Sequence, residues 1–82
     1  KKVVLSGSFN GWNENEIEFR KEGESWFCDV FLPDGMHYYK FIADGEWMTD
    51  PFNKNIVDDG TGNKNSFLSL GTPTKIKLQG YE

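Results

Sequence analysis

The stretch Tyr38-Tyr39-Lys40-Phe41-Ile42-Ala43-Asp44-Gly45-Glu46-Trp47 decides the fold, because its residues alternate in character with a period of two. Successive side chains of a strand point to opposite faces of a sheet. One face is aromatic or small and suits a core; it consists of Tyr39, Phe41 and Ala43. The other face carries Lys40 between Tyr38 and Ile42, and it ends at a glycine turn before Trp47. A cation beside rings favours a recognition surface, so the pattern predicts a strand that is buried on one side and binds on the other.

Further short strands, separated by turn residues, are predicted on both sides of this stretch. They cover residues 1–6, 16–20, 25–32, 66–70 and 74–81, with 36–44 as the central strand. Pro33-Asp34-Gly35 is a strong turn signal and predicts a hairpin between strands 25–32 and 36–44. No apolar period of 3.6 residues lasts beyond one turn, so helix content should be close to nil. Many short strands and no helices predict an all-β fold, an antiparallel β-sandwich.

Composition excludes several classes of function. The chain has 82 residues, enough for one small domain, and a net charge of −4, which argues against nucleic-acid and anionic-membrane partners. Cys28 and His37 are each the single residue of their type, so neither a disulfide nor a zinc site is expected, and both are read as structural. We find no apolar run long enough for a membrane helix.

Catalytic and cofactor motifs fit poorly. The carboxylates are scattered over loops, and His37 lacks a nucleophile context. Gly60-Thr61-Gly62 lacks the third glycine and the helix of a dinucleotide site, and Asp58-Asp59-Gly60 misses the ligand spacing of a calcium loop. Both segments are typical of turns. The sequence therefore predicts no catalytic residue, no metal and no cofactor.

Exposed tryptophans, a lysine between aromatics and an asparagine-rich loop remain to be explained. Sugar rings present an apolar C–H face and a rim of hydroxyls. Tryptophan rings suit the face, while amide and ammonium groups suit the hydroxyls. This chemistry favours carbohydrate binding over turnover.

Five spaced motifs carry a resemblance to a known family. They are Leu5-Ser6-Gly7-Ser8-Phe9-Asn10-Gly11-Trp12, Leu32-Pro33-Asp34-Gly35, residues 39–47, Asp50-Pro51 and Asn65-Ser66. In this order they closely resemble the family 48 carbohydrate-binding modules, and in particular the glycogen-binding domain of the AMP-activated protein kinase β subunit. The resemblance implies an early-set immunoglobulin-like β-sandwich that binds glycogen- or starch-like α-glucan without cleaving it.

The family's binding residues carry over position by position. Trp12 and Trp47 match its two stacking tryptophans, Lys40 its sugar-contacting lysine and Asn65 its hydrogen-bonding asparagine. Thr61 and Asn63 occupy the positions of a leucine that threads a cyclic glucan and of a nearby threonine, a departure that weakens the ring-threading mode.

Other interpretations remain open at several positions. Trp26 points with Cys28 on its strand and is expected in the core. Trp12 would otherwise cap one end of the sandwich, Lys40 would be a solvated strand lysine, and Asn65 would satisfy the backbone of its own loop. Phe52 would either plug the sandwich or extend the binding platform.

At the level of the whole chain, one alternative is a structural domain that packs on a neighbouring catalytic or repeat domain. Another is the same fold binding a different polysaccharide such as xylan. The module is expected over residues 1–70, with residues 71–82 as a linker and the first strand of a following repeat. That tail could instead fold back onto a vacant edge beside the first strand, swap between molecules, or stay disordered.

Overall fold

The computed structural model describes residues 1–80. These residues form nine β-strands and one short 3-10 turn, Ser8–Asn10, and they contain no α-helix, as the sequence predicted. The strands are β1 (Val3–Gly7), β2 (Ile17–Glu18), β3 (Arg20–Glu22), β4 (Ser25–Leu32), β5 (Gly35–Ala43), β6 (Glu46–Met48), β7 (Ile56–Asp58), β8 (Lys64–Leu70) and β9 (Thr74–Gly80). The prediction of an all-β fold is therefore confirmed.

The strands form two antiparallel sheets. The larger sheet has the order β2-β1-β5-β8-β7, and β6 also pairs with β5. The smaller sheet has the order β3-β4-β9. Strand β5, which contains Tyr38 to Ala43, lies at the centre of the larger sheet, so its outward face is surrounded by neighbouring strands.

The core lies between the two sheets. Tyr39 and Phe41 are 0% and 1% exposed, which confirms the predicted inward face of β5. Cys28 and Leu78 close the core from the smaller sheet, and the Phe19 ring packs edge-on against Phe41 with centroids 4.8 Å apart. Each large apolar side chain buried in this way contributes roughly 1.5–3 kcal/mol. Trp26 is half-buried and packs against this cluster, as expected.

The predicted hairpin across Pro33-Asp34-Gly35 is wrong. Strand β4 pairs with β3 and β9, whereas β5 pairs with strands of the other sheet, so this turn carries the chain between sheets. His37 supports the crossing, because its Nε2 donates to the Pro33 carbonyl at 2.7 Å. A Pro-Asp-Gly turn reverses the chain in either case, and long-range apolar packing decides which strand comes alongside.

Residues 16–20, predicted as one strand, change sheets at Phe19. β2 pairs with β1 in the larger sheet, while β3 pairs with β4 in the smaller one. At the crossing, the Phe19 N–H donates to the Val3 carbonyl at 2.8 Å, and the side chain is buried in the core. The following turn is also shorter than expected, because Lys21 and Glu22 belong to β3.

Strand β7 was not predicted. It pairs with β8, which begins at Lys64, two residues before the predicted strand 66–70. A three-residue strand between Asn55 and Asp59 shows too little alternation to be recognised.

The predicted tail strand exists over Thr74–Gly80, and it pairs with β4 from Leu32↔Thr74 to Trp26↔Gly80. The end of the predicted strand at Tyr81, like Glu82, lies outside the described residues. The vacant edge expected beside β1 is not there, because β2 and β5 pair with β1 on its two sides.

Candidate functional site

An open cleft lies on the outward face of the larger sheet, above β5. Its volume is about 530 Å³. Its walls are formed by Trp12, Lys40, Trp47, Asp59, Asn63 and Asn65. The structure thus brings five of the six residues expected from the sequence to one place, and Thr61 is not among the cleft-lining residues.

Trp12 is presented by the loop after β1. Gly11 and Trp12 both have left-handed backbone, with φ of 65° and 60°. This conformation is energetically unfavourable for Trp12, because its side chain begins with a Cβ that crowds the backbone. The loop's own hydrogen bonds hold it: the Trp12 N–H donates to the Gly7 carbonyl at 2.9 Å, and the Gly7 N–H donates to Asn10 Oδ1 at 3.1 Å. The ring is half-buried. Because the backbone of the loop is fixed, little conformational entropy is lost there when the ring contacts a ligand.

Trp47 is presented by the hairpin between β5 and β6. Asp44 and Gly45 have φ of 49° and 87°, the two consecutive positive values of a type I′ turn. Strand β6 then pairs with β5 so that Trp47 lies opposite Ile42, on the outward face. The Trp47 side chain is 41% exposed. Its ring centroid lies 6.5 Å from that of Trp12, with the planes tilted by 43°, so the two rings form one angled apolar platform.

Lys40 and Asn65 are brought together by strand register. β5 and β8 pair up to Tyr39↔Ser66, and one further step sets Lys40 beside Asn65. Both side chains are partly exposed. An ammonium group and a side-chain amide therefore lie next to the tryptophan platform, where they can donate to hydroxyl groups.

The loop between β7 and β8 closes the third side of the cleft. The Thr61 hydroxyl donates to Asp59 Oδ1 at 2.6 Å, and Asn63 Nδ2 donates to Thr61 Oγ1 at 3.3 Å. Thr61 is thus held by hydrogen bonds within the loop and stabilises the loop's conformation. The hydroxyl and N–H of Thr61 also hold the pKa of the Asp59 carboxyl below its usual range, so this side chain is an anionic acceptor at neutral pH.

Asp59 was not predicted as a cleft residue. Its N–H donates to the Asn63 carbonyl at 2.9 Å, which continues the Asp58↔Lys64 pairing of β7 and β8 by one step. That register sets Asp59 opposite Asn63. It follows only from the existence of β7, which the sequence pattern did not indicate.

Cys28 and His37 both lie outside the cleft. Cys28 is buried in the core, where desolvation raises the pKa of its thiol to about 11. His37 is buried against Pro33. Residues 1–80 contain no cluster of three or more His, Cys, Asp or Glu arranged to hold a metal ion. Within the same residues there is also no helix of the length and apolarity needed to span a membrane. The chemistry that the cleft offers is stacking and hydrogen bonding.

Comparison with known proteins gives a family. The model for the glycogen recognition site of AMP-activated protein kinase matches residues 1–77. The chain is similar to the 5'-AMP-activated protein kinase subunits beta-1 of Sus scrofa and Homo sapiens, with 34% and 36% identity over 70 residues, and to human subunit beta-2, with 37%. These 70 residues are 85% of this chain.

The same alignments cover 55% of the pig sequence and 25% of each human one, so the chain spans between a quarter and about half of the length of these relatives. The family match extends over the loop that carries Trp12, the central strand, the Trp47 hairpin and the loop between β7 and β8. The chain belongs to the family of the glycogen recognition site of AMP-activated protein kinase.

Proposed function

We propose that this chain is a non-catalytic binding module for glycogen- or starch-like α-glucan and forms part of a larger protein. The observation that carries the proposal is the pair of tryptophan rings, 6.5 Å apart and tilted by 43°, beside a lysine and an asparagine in one open cleft. Family membership supports the choice of glucan. An angled pair of rings suits a curved chain of sugars, because adjacent rings of such a chain present their C–H faces at an angle.

In this mechanism, one or two glucose units stack on Trp12 and Trp47. Lys40 and Asn65 donate to the hydroxyl groups at the rim of the sugars, and Asn63 adds an amide from the opposite loop. Asp59 accepts from a hydroxyl, which a carboxylate does well. Thr61 acts indirectly by holding Asp59, and its short polar side chain is not suited to threading a sugar ring.

The expected affinity is modest. The cleft is open, so a short oligosaccharide buries little area, and binding should fall between micromolar and millimolar, or about −4 to −8 kcal/mol. A module of this affinity acts by holding a larger protein near a polymer with many repeated sites.

Two alternatives keep the same fold. One is a structural domain whose outward face packs on a neighbouring catalytic or repeat domain, and the other is a module for another polysaccharide such as xylan. Affinity electrophoresis in gels that contain glycogen, starch or xylan separates them. We expect retardation in glycogen and starch alone, and the same retardation at low and high salt because the ligand is neutral. Retardation in xylan alone would support the second alternative, and retardation in none of the gels would support the first.

A further inference from the structure

A second hollow lies beside the cleft on the same outward face of the larger sheet. We call it the outer hollow; it is lined by Tyr38, Val57, Asp58, Asp59 and Asn65. Its volume is about 280 Å³. Asp59 and Asn65 also line the cleft, so the two depressions share one wall.

Strand register shows that the two depressions form one continuous surface. Tyr38 precedes Lys40 by two residues on β5, so both point outward. Phe67 lies opposite Tyr38 on β8, and Val57 lies opposite Asn65 on β7. Trp47 lies opposite Ile42, which is four residues from Tyr38 along β5. The distance along the strand is therefore roughly 13 Å, at about 3.3 Å per residue. A chain of several sugars can cover that distance.

The outer hollow repeats the chemistry of the cleft. The Tyr38 ring, which lines the hollow, packs against the Phe67 ring outside it, with centroids 6.5 Å apart and planes tilted by 48°, close to the values for the two tryptophans. Val57 is 37% exposed although it lies in a strand. An aromatic and aliphatic floor facing solvent is suited to the C–H faces of sugars.

The charges at the outer hollow exclude an anionic ligand. Asp58 and Asp59 both line it, and backbone N–H groups of Gly60 and Gly62 hold the pKa of the Asp58 carboxyl below its usual range. Lys64 is 3.6 Å from Asp58 Oδ2 and so is already paired, while Lys40 lines the adjoining cleft and not the outer hollow. Two carboxylates above an apolar floor favour a neutral ligand rich in hydroxyl donors.

We propose that the outer hollow is a second sugar subsite, and that one glucan chain runs from the tryptophan cleft across Asp59 and Asn65 onto Tyr38 and Val57. This inference rests on the proposed function and extends it to chain length. The continuity of the two depressions through shared residues is the reason for assigning the same chain to both. The module would then bind a long linear segment more tightly than a short one.

The test is a series of linear maltooligosaccharides, from maltotriose to maltoheptaose, titrated by calorimetry into the wild-type protein and Tyr38→Ala. For the wild type, we expect affinity to rise along the series beyond the length that fills the cleft. Tyr38→Ala should bind maltotriose like the wild type and maltoheptaose roughly three- to tenfold more weakly. Val57→Ser, on the neighbouring strand, should also lower affinity for the long sugar alone.

Met36→Ala is the matched control. Met36 is 47% exposed and lies two residues before Tyr38 on the same face of β5, beyond the outer hollow, so its removal should leave the whole series unchanged. The second subsite is disproved if Tyr38→Ala and Val57→Ser bind maltoheptaose like the wild type, or if wild-type affinity does not grow with length. A failure of the proposed function gives a different result, namely no binding of any maltooligosaccharide by the wild type.

Discussion

Tyr39 connects the core of the sandwich to the segment that follows β6. Its hydroxyl donates to Asp50 Oδ2 at 2.7 Å and accepts from Asn53 Nδ2 at 3.0 Å. The Asp50 N–H in turn donates to Ser66 Oγ at 2.8 Å. Burial raises the pKa of the Tyr39 phenol, which keeps it a neutral donor. Directly beneath the outward face that holds Lys40, this buried network fixes the loop between β6 and β7.

Tyr39→Phe should therefore lower the free energy of unfolding. The change keeps the ring but removes the hydroxyl donor to Asp50 Oδ2, a loss of about 1–3 kcal/mol, while Asp50 Oδ1 still accepts from the Phe52 N–H. Urea denaturation measures it. Tyr38→Phe, one residue earlier on the exposed face, is the control and should stay within about 0.5 kcal/mol of the wild type. Equal stability of Tyr39→Phe and the wild type would contradict the role given to this hydrogen bond.

The burial of Tyr39 could be predicted from alternation, but its partners could not. Asp50 and Asn53 lie 11 and 14 residues further along the chain. Neither residue lies in a predicted strand, and turn formers satisfy their own backbone as readily as they reach a distant hydroxyl.

At the scale of elements, the corner between β1 and the Trp12 loop depends on Gly7. A Cβ at this position would lie 2.6 Å from the Phe9 ring and 2.6 Å from the Tyr38 carbonyl oxygen. The Phe9 ring folds over Gly7, and Ser8 Oγ accepts from the Tyr38 N–H at 3.1 Å. The loop is thus fastened to β5, the strand that carries Lys40.

Gly7→Ala should damage both stability and binding. The methyl group meets backbone as well as a ring, so we expect a loss of about 1–3 kcal/mol in unfolding free energy. Glucan affinity should fall too, because the Gly7 carbonyl accepts from the Trp12 N–H. Thermal unfolding and glucan titration measure the two effects. Gly71→Ala is the control, since nothing lies within 4 Å of its added Cβ. Equal unfolding free energies of Gly7→Ala and Gly71→Ala would contradict the tight packing at the Gly7 corner.

Sequence pattern predicted elements where alternation was sustained and failed where it was short. The long strands β4, β5, β8 and β9 were recognised from their alternating residues. β7 was missed because it has three residues, and the 16–20 strand was not divided because alternation continues through Phe19 while the pairing partner changes. Asp59 was not predicted as a cleft residue for the same reason, since its position depends on the pairing of β7 with β8.

At the scale of the molecule, β9 is one of the three strands of the smaller sheet. It pairs with β4 along its whole length and supplies Leu78, which is 7% exposed, to the core. The turn chemistry of Thr72-Pro73 gives no indication of which sheet the following strand joins. The partner of this strand therefore could not be predicted, although the strand itself was.

We expect the amides of β9 to be protected in the 82-residue chain. The N–H groups of β9 that point toward β4, those of alternate residues in this edge strand, should exchange slowly, and their protection should not depend on protein concentration, because β9 pairs with β4 of the same chain. Hydrogen exchange followed by NMR measures this, with the exposed loop residue Lys54 as an internal fast-exchanging reference. Fast exchange at every residue of β9 would favour a linker that starts a following repeat. Protection that rises with concentration would instead indicate swapping between molecules.

The central claim is that glucan binds on the paired tryptophans, and calorimetric titration of maltoheptaose into the wild type, Trp12→Ala, Trp47→Ala and Trp26→Ala tests it most directly. We expect each of the first two substitutions to cost about 1–3 kcal/mol of affinity with little change in melting temperature. Trp26→Ala, which removes a ring packed on the core, should lower the melting temperature and leave the affinity of the folded protein near that of the wild type. Wild-type affinity in both Trp12→Ala and Trp47→Ala would contradict the assignment of the site.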